Sequence, residues 1–179
     1  MSDARLVRIS KLMSLILRHK PEQFGVILDA EGYAPVDDVV RAVRESMPDA
    51  SVDDLRGVVD RIEPDKARFS IEGLDIRANY GHSLHARIEQ PRVVPPEVLL
   101  HGTSEGVVLD IRRDGIRPMR RQYVHLTTNR DLAGRVGGRH GKAAVLEVEA
   151  LRASEAGLIF YRANESFWLA DFIPPAFIR

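Results

Sequence analysis

The sequence ARLVRISKLMSLILRHKP, residues 4–21, predicts the first helix of the chain and the point where it ends. Its apolar residues recur at steps of three and four, which is the spacing of one helix face. Pro21 cannot continue the pattern, so we expect a helix over residues 4–19. That helix carries Arg18 and His19 at its carboxyl end. The apolar positions are Leu6, Ile9, Leu12, Met13, Ile16 and Leu17.

A second arginine–histidine pair, Arg139-His140, lies in a predicted loop that is bracketed by glycines. Arginine presents a planar fork of donors that matches phosphate oxygens, and it stays charged at any working pH. Both pairs therefore predict anion-binding groups. A simpler role stays open for Arg18-His19, because cations at a helix C-terminus are favourable against the helix dipole.

The rest of the first half predicts a small helical domain that ends in a hairpin. Three helices followed by a hairpin are typical of a winged helix-turn-helix module. Arg68 begins the predicted wing, where it is either a phosphate contact or an ordinary exposed charge. The expected elements are a strand at 24–29, a turn at Glu31-Gly32, a helix opened by Pro35, a helix capped by Ser51, and a hairpin of 68–71 with 74–77.

After residue 78 the composition changes, and a proline-rich segment at 90–96 marks the expected linker. The predicted fold class is α+β, with a winged-helix domain over 1–90 and a β-rich domain over 91–179. The second domain is expected to contain a helix at about 129–136. Its strands are predicted at 98–101, 123–126, 144–148, 158–161 and 167–169.

The 179-residue chain has no cysteine, and its 26 basic residues balance 26 acidic ones. The absence of cysteine excludes disulfides and thiolate metal sites, and it fits a reducing cytoplasm. The amino terminus leads directly into the first helix and no apolar run reaches the ~20 residues that span a bilayer, so neither a secretory signal nor a membrane anchor is expected. Between Asp110 and Lys142, nine basic residues oppose three aspartates. This local excess suits a polyanion, although an ordinary solvated face also fits it.

Two predicted strand ends combine a histidine with hydroxyl side chains. One is His101-Gly102-Thr103-Ser104 and the other is His125-Leu126-Thr127-Thr128. Glycine lets a ligand approach the backbone, so the two ends together predict a ligand cleft, although each alone also fits a plain turn. The isolated histidines argue against a metal site. The sequence also lacks a Gly-x-Ser-x-Gly elbow, a Gly-x-Gly-x-x-Gly motif and a P-loop.

Taken together, these motifs resemble those of the tRNA 2′-phosphotransferase family. Each motif alone is modest, but their order and spacing match over nearly the whole chain. The matching segments are residues 10–21, 68–71, 76–83, 100–103, 124–127, 136–142 and 167–175.

The resemblance implies an NAD-dependent enzyme with an RNA- and phosphate-binding winged-helix lobe over 1–90 and an ADP-ribosyltransferase-like, NAD-binding lobe over 91–179. In that family an internal RNA 2′-phosphate attacks NAD and expels nicotinamide, which gives an ADP-ribosylated 2′-phospho-RNA intermediate. A second step releases RNA with a free 2′-hydroxyl and ADP-ribose 1″,2″-cyclic phosphate. The resemblance implies a monomeric, cytoplasmic enzyme of RNA processing, and it leaves open whether the pathway is tRNA splicing.

The resemblance also implies roles for particular residues. Three arginines can neutralise a phosphate and stabilise charge on its oxygens, and a histidine can donate a proton, so we expect no requirement for a metal ion. The implied catalytic residues are Arg18, His19, Arg68 and Arg139. The implied NAD-binding residues are His101, Gly102, Thr103, His125 and Leu126. The implied substrate-binding residues are Lys20, Gly81, His82, Ser83 and His140.

Tyr80, Phe167 and Ala170 stand where the family often has glutamine, valine and threonine, and the two aromatic residues are expected to narrow the cleft. Protein-modifying ADP-ribosyltransferases of this fold carry a catalytic glutamate near the position of Phe167. Glu165 would face the same side of a strand as Phe167, so ADP-ribosylation of nucleic-acid phosphate ends or of protein stays open. A third hypothesis for the function is a winged-helix regulator that binds DNA. The acidic stretch at 52–60 argues against it, since major-groove readers carry basic residues there.

Overall fold

Helix α1 spans Asp3–Arg18 in the computed structural model, which describes residues 3–60 and 67–179 of the chain. The helix expected over residues 4–19 is therefore confirmed to within one residue at each end. Its apolar face lies in a hydrophobic core. Burial of that face stabilises the helix more than the intrinsic preferences of its residues do.

The chain divides into two compact units, Met1–Glu89 and Gln90–Arg179, and each unit has an apolar core of its own. Both units combine helices with small antiparallel sheets, so the structure is mixed α/β. Among the described residues, no helix combines the length and the apolar character that a membrane span requires.

The described part of the first unit contains two further α-helices, α2 at Val36–Arg44 and α3 at Val52–Asp60, which confirm the sequence prediction. Ser51 caps α3: its hydroxyl oxygen accepts from the backbone N–H of Asp54 at 3.3 Å, and the Asp54 carboxylate accepts from the backbone N–H of Ser51 at 2.9 Å. Arg5 of α1 donates its Nε and Nη2 to the two carboxylate oxygens of Asp54, at 3.0 and 2.9 Å. Because the fork is bidentate and Asp54 is buried, the pair fixes α3 against α1.

A three-stranded antiparallel sheet completes the first unit, with β1 at Tyr33–Pro35, β2 at Phe69–Glu72 and β3 at Asp75–Ala78. Its strand order is β1-β3-β2. The predicted hairpin is confirmed, because β2 and β3 pair with Ile71 opposite Ile76. The sequence did not predict β1, whose three residues are too few to show an alternation of apolar and polar positions.

The strand expected over 24–29 is wrong. A 3-10 helix at Pro21–Phe24 occupies its start, and Gly25 then turns the chain with a φ of 60°. The backbone N–H of Val26 donates back to the carbonyl of Pro21 at 3.0 Å. The apolar run therefore turns at Gly25 and joins no sheet.

Two antiparallel sheets form the second unit, and a backbone bridge between Leu100 and Thr127 joins them. The five predicted strands are confirmed, and no strand end is displaced by more than three residues. The predicted helix at 129–136 is confirmed, whereas two short helices were not predicted. The elements are β4 at Leu99–Ser104, α4 at Val108–Asp114, β5 at Val124–Leu126, α5 at Arg130–Gly137, β6 at Ala143–Val148, α6 at Ala150–Glu155, β7 at Phe160–Arg162 and β8 at Trp168–Ala170.

Candidate functional site

The carboxyl end of α1 brings Arg18 into a buried position beside two aromatic rings. Only 8% of Arg18 is exposed. Its guanidinium carbon lies 5.3 Å from the centre of the Phe69 ring and 5.0 Å from the centre of the Tyr80 ring. Its Nη2 donates to the carbonyl of Arg68 at 3.2 Å. These contacts hold the cation in one place, and they bring together two predicted catalytic residues that are 50 positions apart.

Asn79, a buried residue directly after β3, fixes the backbone of Arg68. Its backbone N–H donates to the Arg68 carbonyl at 2.8 Å, and its side-chain amide donates to the Ala67 carbonyl at 3.1 Å. The Ser70 hydroxyl donates to the Asn79 side-chain oxygen at 2.8 Å. The start of β2 is therefore held firmly while the side chain of Arg68 stays exposed.

His19 follows the end of α1, and Ser83 contacts both it and its neighbour. The hydroxyl oxygen of Ser83 lies 2.8 Å from His19 Nδ1, and the backbone N–H of Ser83 donates to the carbonyl of Arg18 at 3.0 Å. The segment approaches α1 through Gly81, whose φ of 89° is rarely adopted by residues with a side chain. Ser83, predicted to contact RNA, therefore also orients the predicted catalytic histidine.

Two other predicted substrate contacts in this unit differ in exposure. Lys20 is exposed directly after α1, whereas only 3% of His82 is exposed, so the His82 side chain lies in the protein interior. We call the residues that the structure gathers at the end of this helix the α1 cluster: Arg18, His19, Arg68 and Ser83.

The α1 cluster has the chemistry of a phosphate-binding site. Arginine forks match the oxygens of a phosphate group and offset its charge. An imidazole can donate a hydrogen bond or a proton near neutral pH. The arrangement can therefore bind a phosphate and stabilise the negative charge that develops when a bond to phosphorus forms or breaks.

In the second unit, His101 of β4 contacts the backbone of His125 of β5. His101 Nδ1 lies 3.0 Å from the carbonyl oxygen of His125. A carbonyl only accepts, so Nδ1 carries the proton and Nε2 is left as an acceptor. Burial lowers the pKa of His101, and the hydrogen bond to the His125 carbonyl offsets that effect only in part. His101 is therefore neutral at pH 7.

Other predicted NAD-binding residues lie on the same two strands. Thr103 is two residues after His101, so both side chains lie on one face of β4. The rings of His125 and Phe167 meet edge to face, with centroids 6.4 Å apart. Leu126 is buried in the apolar core, where its side chain serves packing. We call His101, Thr103 and His125 the β4 cluster.

Gly102 has a packing role that its sequence context does not reveal. A Cβ atom on Gly102 would lie 1.9 Å from the carbonyl oxygen of Ala133 on α5. Gly137 repeats the arrangement at the end of α5, where a Cβ would lie 2.4 Å from the carbonyl oxygen of Thr103. The two glycines therefore let α5 lie directly against β4, and the space beside Gly102 is filled by this helix.

Arg139 is exposed on a short 3-10 helix, Gly138–His140, that directly follows α5. The interpretation of this segment as a loop is therefore wrong. The contact between α5 and β4 sets the position of Arg139, two residues after Gly137. The side chain of His140 lies outside the described part of the structure. Arg139 belongs to the same unit as the β4 cluster.

The prediction that Glu165 and Phe167 face the same side of one strand is also wrong. Strand β8 begins at Trp168, and Glu165 is exposed in the bend before it. The side-chain oxygen of Asn164 accepts from the backbone N–H groups of Ser166 and Phe167 at 2.9 and 2.8 Å, which closes that bend. Glu165 and Phe167 are therefore not alternate residues of one strand face.

Sequence reasoning missed Phe69, Asn79 and the contact of Tyr80 with Arg18. Phe69 and Asn79 lie inside the matching segments, but their residue types do not suggest chemistry. The sequence showed Tyr80 only as a departure from the usual glutamine of the family.

Within residues 3–60 and 67–179, no group of three histidine, aspartate or glutamate residues is placed to hold a metal ion.

Comparisons with known proteins match nearly the whole chain to RNA 2′-phosphotransferases. Residues 4–172 match the family described as RNA 2′-phosphotransferase, Tpt1 / KptA family. A protein of Nostoc punctiforme named as a probable RNA 2′-phosphotransferase is 38% identical over 179 residues, which cover 100% of this chain and 99% of the relative. A protein of the same name from Streptomyces griseus is 39% identical, over 99% of this chain and 98% of the relative. Another from Agrobacterium fabrum is 42% identical, over 94% of this chain and 91% of the relative.

Proposed function

The chain belongs to the RNA 2′-phosphotransferase family, and on this premise we propose that it removes an internal 2′-phosphate from RNA by transferring it to NAD. The products are RNA with a free 2′-hydroxyl, nicotinamide and ADP-ribose 1″,2″-cyclic phosphate, formed through an ADP-ribosylated 2′-phospho-RNA. The observation that carries the proposal is the α1 cluster, which joins a buried arginine, an exposed arginine and an oriented histidine.

In this proposal the α1 cluster holds the 2′-phosphate. Arg18 is already fixed by its contacts with two rings and a carbonyl, so little rotamer freedom is lost when phosphate binds. Arg68 supplies a second, exposed cation. His19 serves as a hydrogen-bond or proton donor, and Ser83 holds the orientation of its ring. These residues already supply the positive charge that the reaction needs, so we propose that it requires no metal ion.

The second unit is proposed to bind NAD, which is consumed as a substrate. NAD supplies an electrophilic ribose carbon and the nicotinamide leaving group. The β4 cluster suits the ribose hydroxyls of NAD, because a neutral His101 offers an acceptor at Nε2 and Thr103 offers a hydroxyl. A protonated histidine would lack that acceptor. Arg139 is proposed to act on the phosphoryl oxygens in the second step.

We further propose that the first unit is a winged-helix lobe and the second an ADP-ribosyltransferase-like lobe. The order of three helices and the β2–β3 hairpin supports the first assignment. The paired strands with histidines, the neighbouring β5-β8-β7 sheet and the family match support the second.

The test is an assay of the purified chain with a 2′-phosphorylated oligoribonucleotide, with and without NAD. We expect dephosphorylated RNA and nicotinamide in equal amounts when NAD is present, an unchanged rate with excess chelator, and no reaction without NAD. A matched oligonucleotide without the 2′-phosphate controls for hydrolysis of NAD. Release of inorganic phosphate without NAD would overturn the assignment of NAD. Nicotinamide release with ADP-ribose left permanently on RNA or protein would show an ADP-ribosyltransferase instead.

A further inference from the structure

We propose that Tyr80 is a positioning residue for Arg18 and acts through its aromatic ring. The proposal rests on the proposed function, in which Arg18 holds the 2′-phosphate. The resemblance gives Tyr80 no role except as a departure from the usual glutamine. The structure places its ring centre 5.0 Å from the guanidinium carbon of Arg18.

The reason for a positioning role is the flexibility of arginine. An arginine side chain has many rotamers, and a catalytic group must be held near one geometry to be effective. The contacts that restrict Arg18 include the rings of Phe69 and Tyr80 and the carbonyl of Arg68. Of these, the Phe69 ring is buried in the core and the Arg68 carbonyl belongs to the backbone.

Of these contacts with Arg18, the one made by Tyr80 can be removed by substitution with the least effect on the fold. It is half-buried and lies in the segment between β3 and Ser83, outside the hydrophobic core. The backbone of the same segment bonds to Arg18, because the N–H of Ser83 donates to the Arg18 carbonyl at 3.0 Å. One short segment therefore holds both the main chain and the guanidinium of Arg18. A change at Tyr80 should alter the guanidinium with little effect on folding.

The experiment compares Tyr80→Leu, which removes the ring, with Tyr80→Phe, which removes only the hydroxyl. A cation–π contact of this kind corresponds to about a five- to thirtyfold effect. We expect Tyr80→Leu to lower kcat by that factor with a smaller change in KM for RNA, and Tyr80→Phe to behave like the native chain. Tyr33→Leu is the matched control, because Tyr33 makes a similar contact with Arg77, at 4.7 Å, and neither residue belongs to the α1 cluster. Its kcat should be unchanged.

A double-mutant cycle with Arg18→Lys separates positioning from direct contact with RNA. If Tyr80 acts through Arg18, Tyr80→Leu should have little further effect in the Arg18→Lys background. An equal loss in both backgrounds would overturn the proposal, as would an unchanged kcat in Tyr80→Leu. A loss in Tyr80→Phe that equals the loss in Tyr80→Leu would also overturn it, since the hydroxyl would then be the active group.

A readout independent of activity is the NMR signal of the Arg18 Nε–H group, assigned by its disappearance in Arg18→Lys. The ring current of Tyr80 should displace this signal, so we expect it to move in Tyr80→Leu and to stay in place in Tyr80→Phe and Tyr33→Leu. A signal that does not move in Tyr80→Leu would overturn the proposal even if the native chain were inactive. Inactivity of the native chain towards 2′-phosphorylated RNA would overturn the proposed function alone.

Discussion

The α1 cluster and the β4 cluster differ in the charge of their polar side chains and in the contacts that hold those side chains in place. The α1 cluster contains cations, and side-chain contacts from segments far apart in the chain hold it: Arg18 meets the ring of Tyr80, and His19 meets Ser83. The β4 cluster contains a neutral histidine, and paired strands hold it. One cluster therefore suits an anion and the other suits uncharged hydroxyl groups.

The difference follows from how arginine and histidine respond to burial. Arginine remains charged when buried, so it must be surrounded by groups that stabilise a cation. Histidine releases its proton instead, because burial disfavours the charged form. Arg18 therefore keeps its positive charge despite its burial, whereas burial favours the neutral form of His101.

Arg139→Ala should separate the two proposed chemical steps, because Arg139 is the one proposed catalytic residue that lies in the unit of the β4 cluster. The first step builds positive charge on the ribose, where another cation helps little, and the second builds negative charge on phosphoryl oxygens. Loss of one such donor typically costs about a hundredfold or more. We expect the second step to slow by that factor, so an ADP-ribosylated 2′-phospho-RNA should accumulate in rapid-quench gels of labelled RNA.

The control for this change is Arg135→Ala, which removes another exposed arginine from the last turn of α5. It should leave both steps unchanged. If Arg139→Ala merely consumes RNA slowly, without a band of lower mobility, Arg139 does not act preferentially in the second step.

Asp54→Asn should destabilise the unit that holds the α1 cluster. The hydrogen bonds from Arg5 lower the pKa of Asp54 from 3.8 to about 2. A lowered carboxyl pKa contributes stability above pH ~4 that is lost as the pH falls towards 2, and here it corresponds to about 2 kcal/mol. We expect urea unfolding at pH 7 to show a loss of about that size, with a weaker dependence on acid than in the native chain.

Asp53→Asn is the matched control for this prediction, because Asp53 is the exposed neighbour of Asp54 in the first turn of α3. It should leave both the unfolding free energy and its acid dependence nearly unchanged. Equal losses from the two variants would show that the charge of the first helical turn matters rather than the pair with Arg5.

Replacing Arg120 and Arg121 together by alanine should reduce the salt dependence of RNA binding. The two are exposed in the basic stretch of the second unit, and contacts with phosphates release counterions from RNA. Loss of two such contacts should lower the slope of log affinity against log salt by about 1.4. Fluorescence anisotropy should show weaker binding of long RNA, with little change for a dinucleotide.

Arg113→Ala provides the comparison, because Arg113 already pairs with Asp110 and Asp114 at 3.1 and 2.8 Å. Its removal should change the salt slope less. Equal effects of the double substitution on long and short RNA would indicate that these arginines only solvate a loop.

The smallest expected effect concerns His101 and mild acid. Its pKa is lowered by burial, so the unfolded chain takes up a proton near pH 6.5 and the folded chain takes it up at a lower pH. The stability of the second unit should therefore fall as the pH drops through 6.5. We expect His101→Gln to weaken this dependence in thermal unfolding between pH 7 and 5.5. His85→Gln, at an exposed histidine, should not weaken it, and an identical pH dependence in all three chains would show that His101 is not the responsible group.

Much of the fold could be predicted because local signals agreed with the tertiary structure. The apolar spacing of α1, the Ser51 cap and the β2–β3 hairpin are each encoded within a few neighbouring residues. The strand expected at 24–29 failed because its apolar residues fit a strand as well as the turn that Gly25 makes. Two short helices, α4 and α6, were not predicted, because one or two helical turns show little periodicity.

The candidate site also contains some residues that could be predicted from the sequence and some roles that could not. The resemblance to the family predicted Arg18, His19 and Arg68 as a group, because each of them alone also fits an ordinary role at a helix end or on an exposed strand. It did not reveal that Gly102 makes room for α5, or that Ser83 orients His19. Those roles depend on residues that are distant in the chain.

The sequence by itself determined the family, the helix that carries Arg18 and His19, and the residue types that can hold a phosphate. These properties follow from local patterns and from the chemistry of single side chains. The tertiary structure alone decided that the Arg18 guanidinium meets the Tyr80 ring and that His101 is neutral. Contact and burial depend on how distant segments pack together, and no short stretch of sequence specifies that packing.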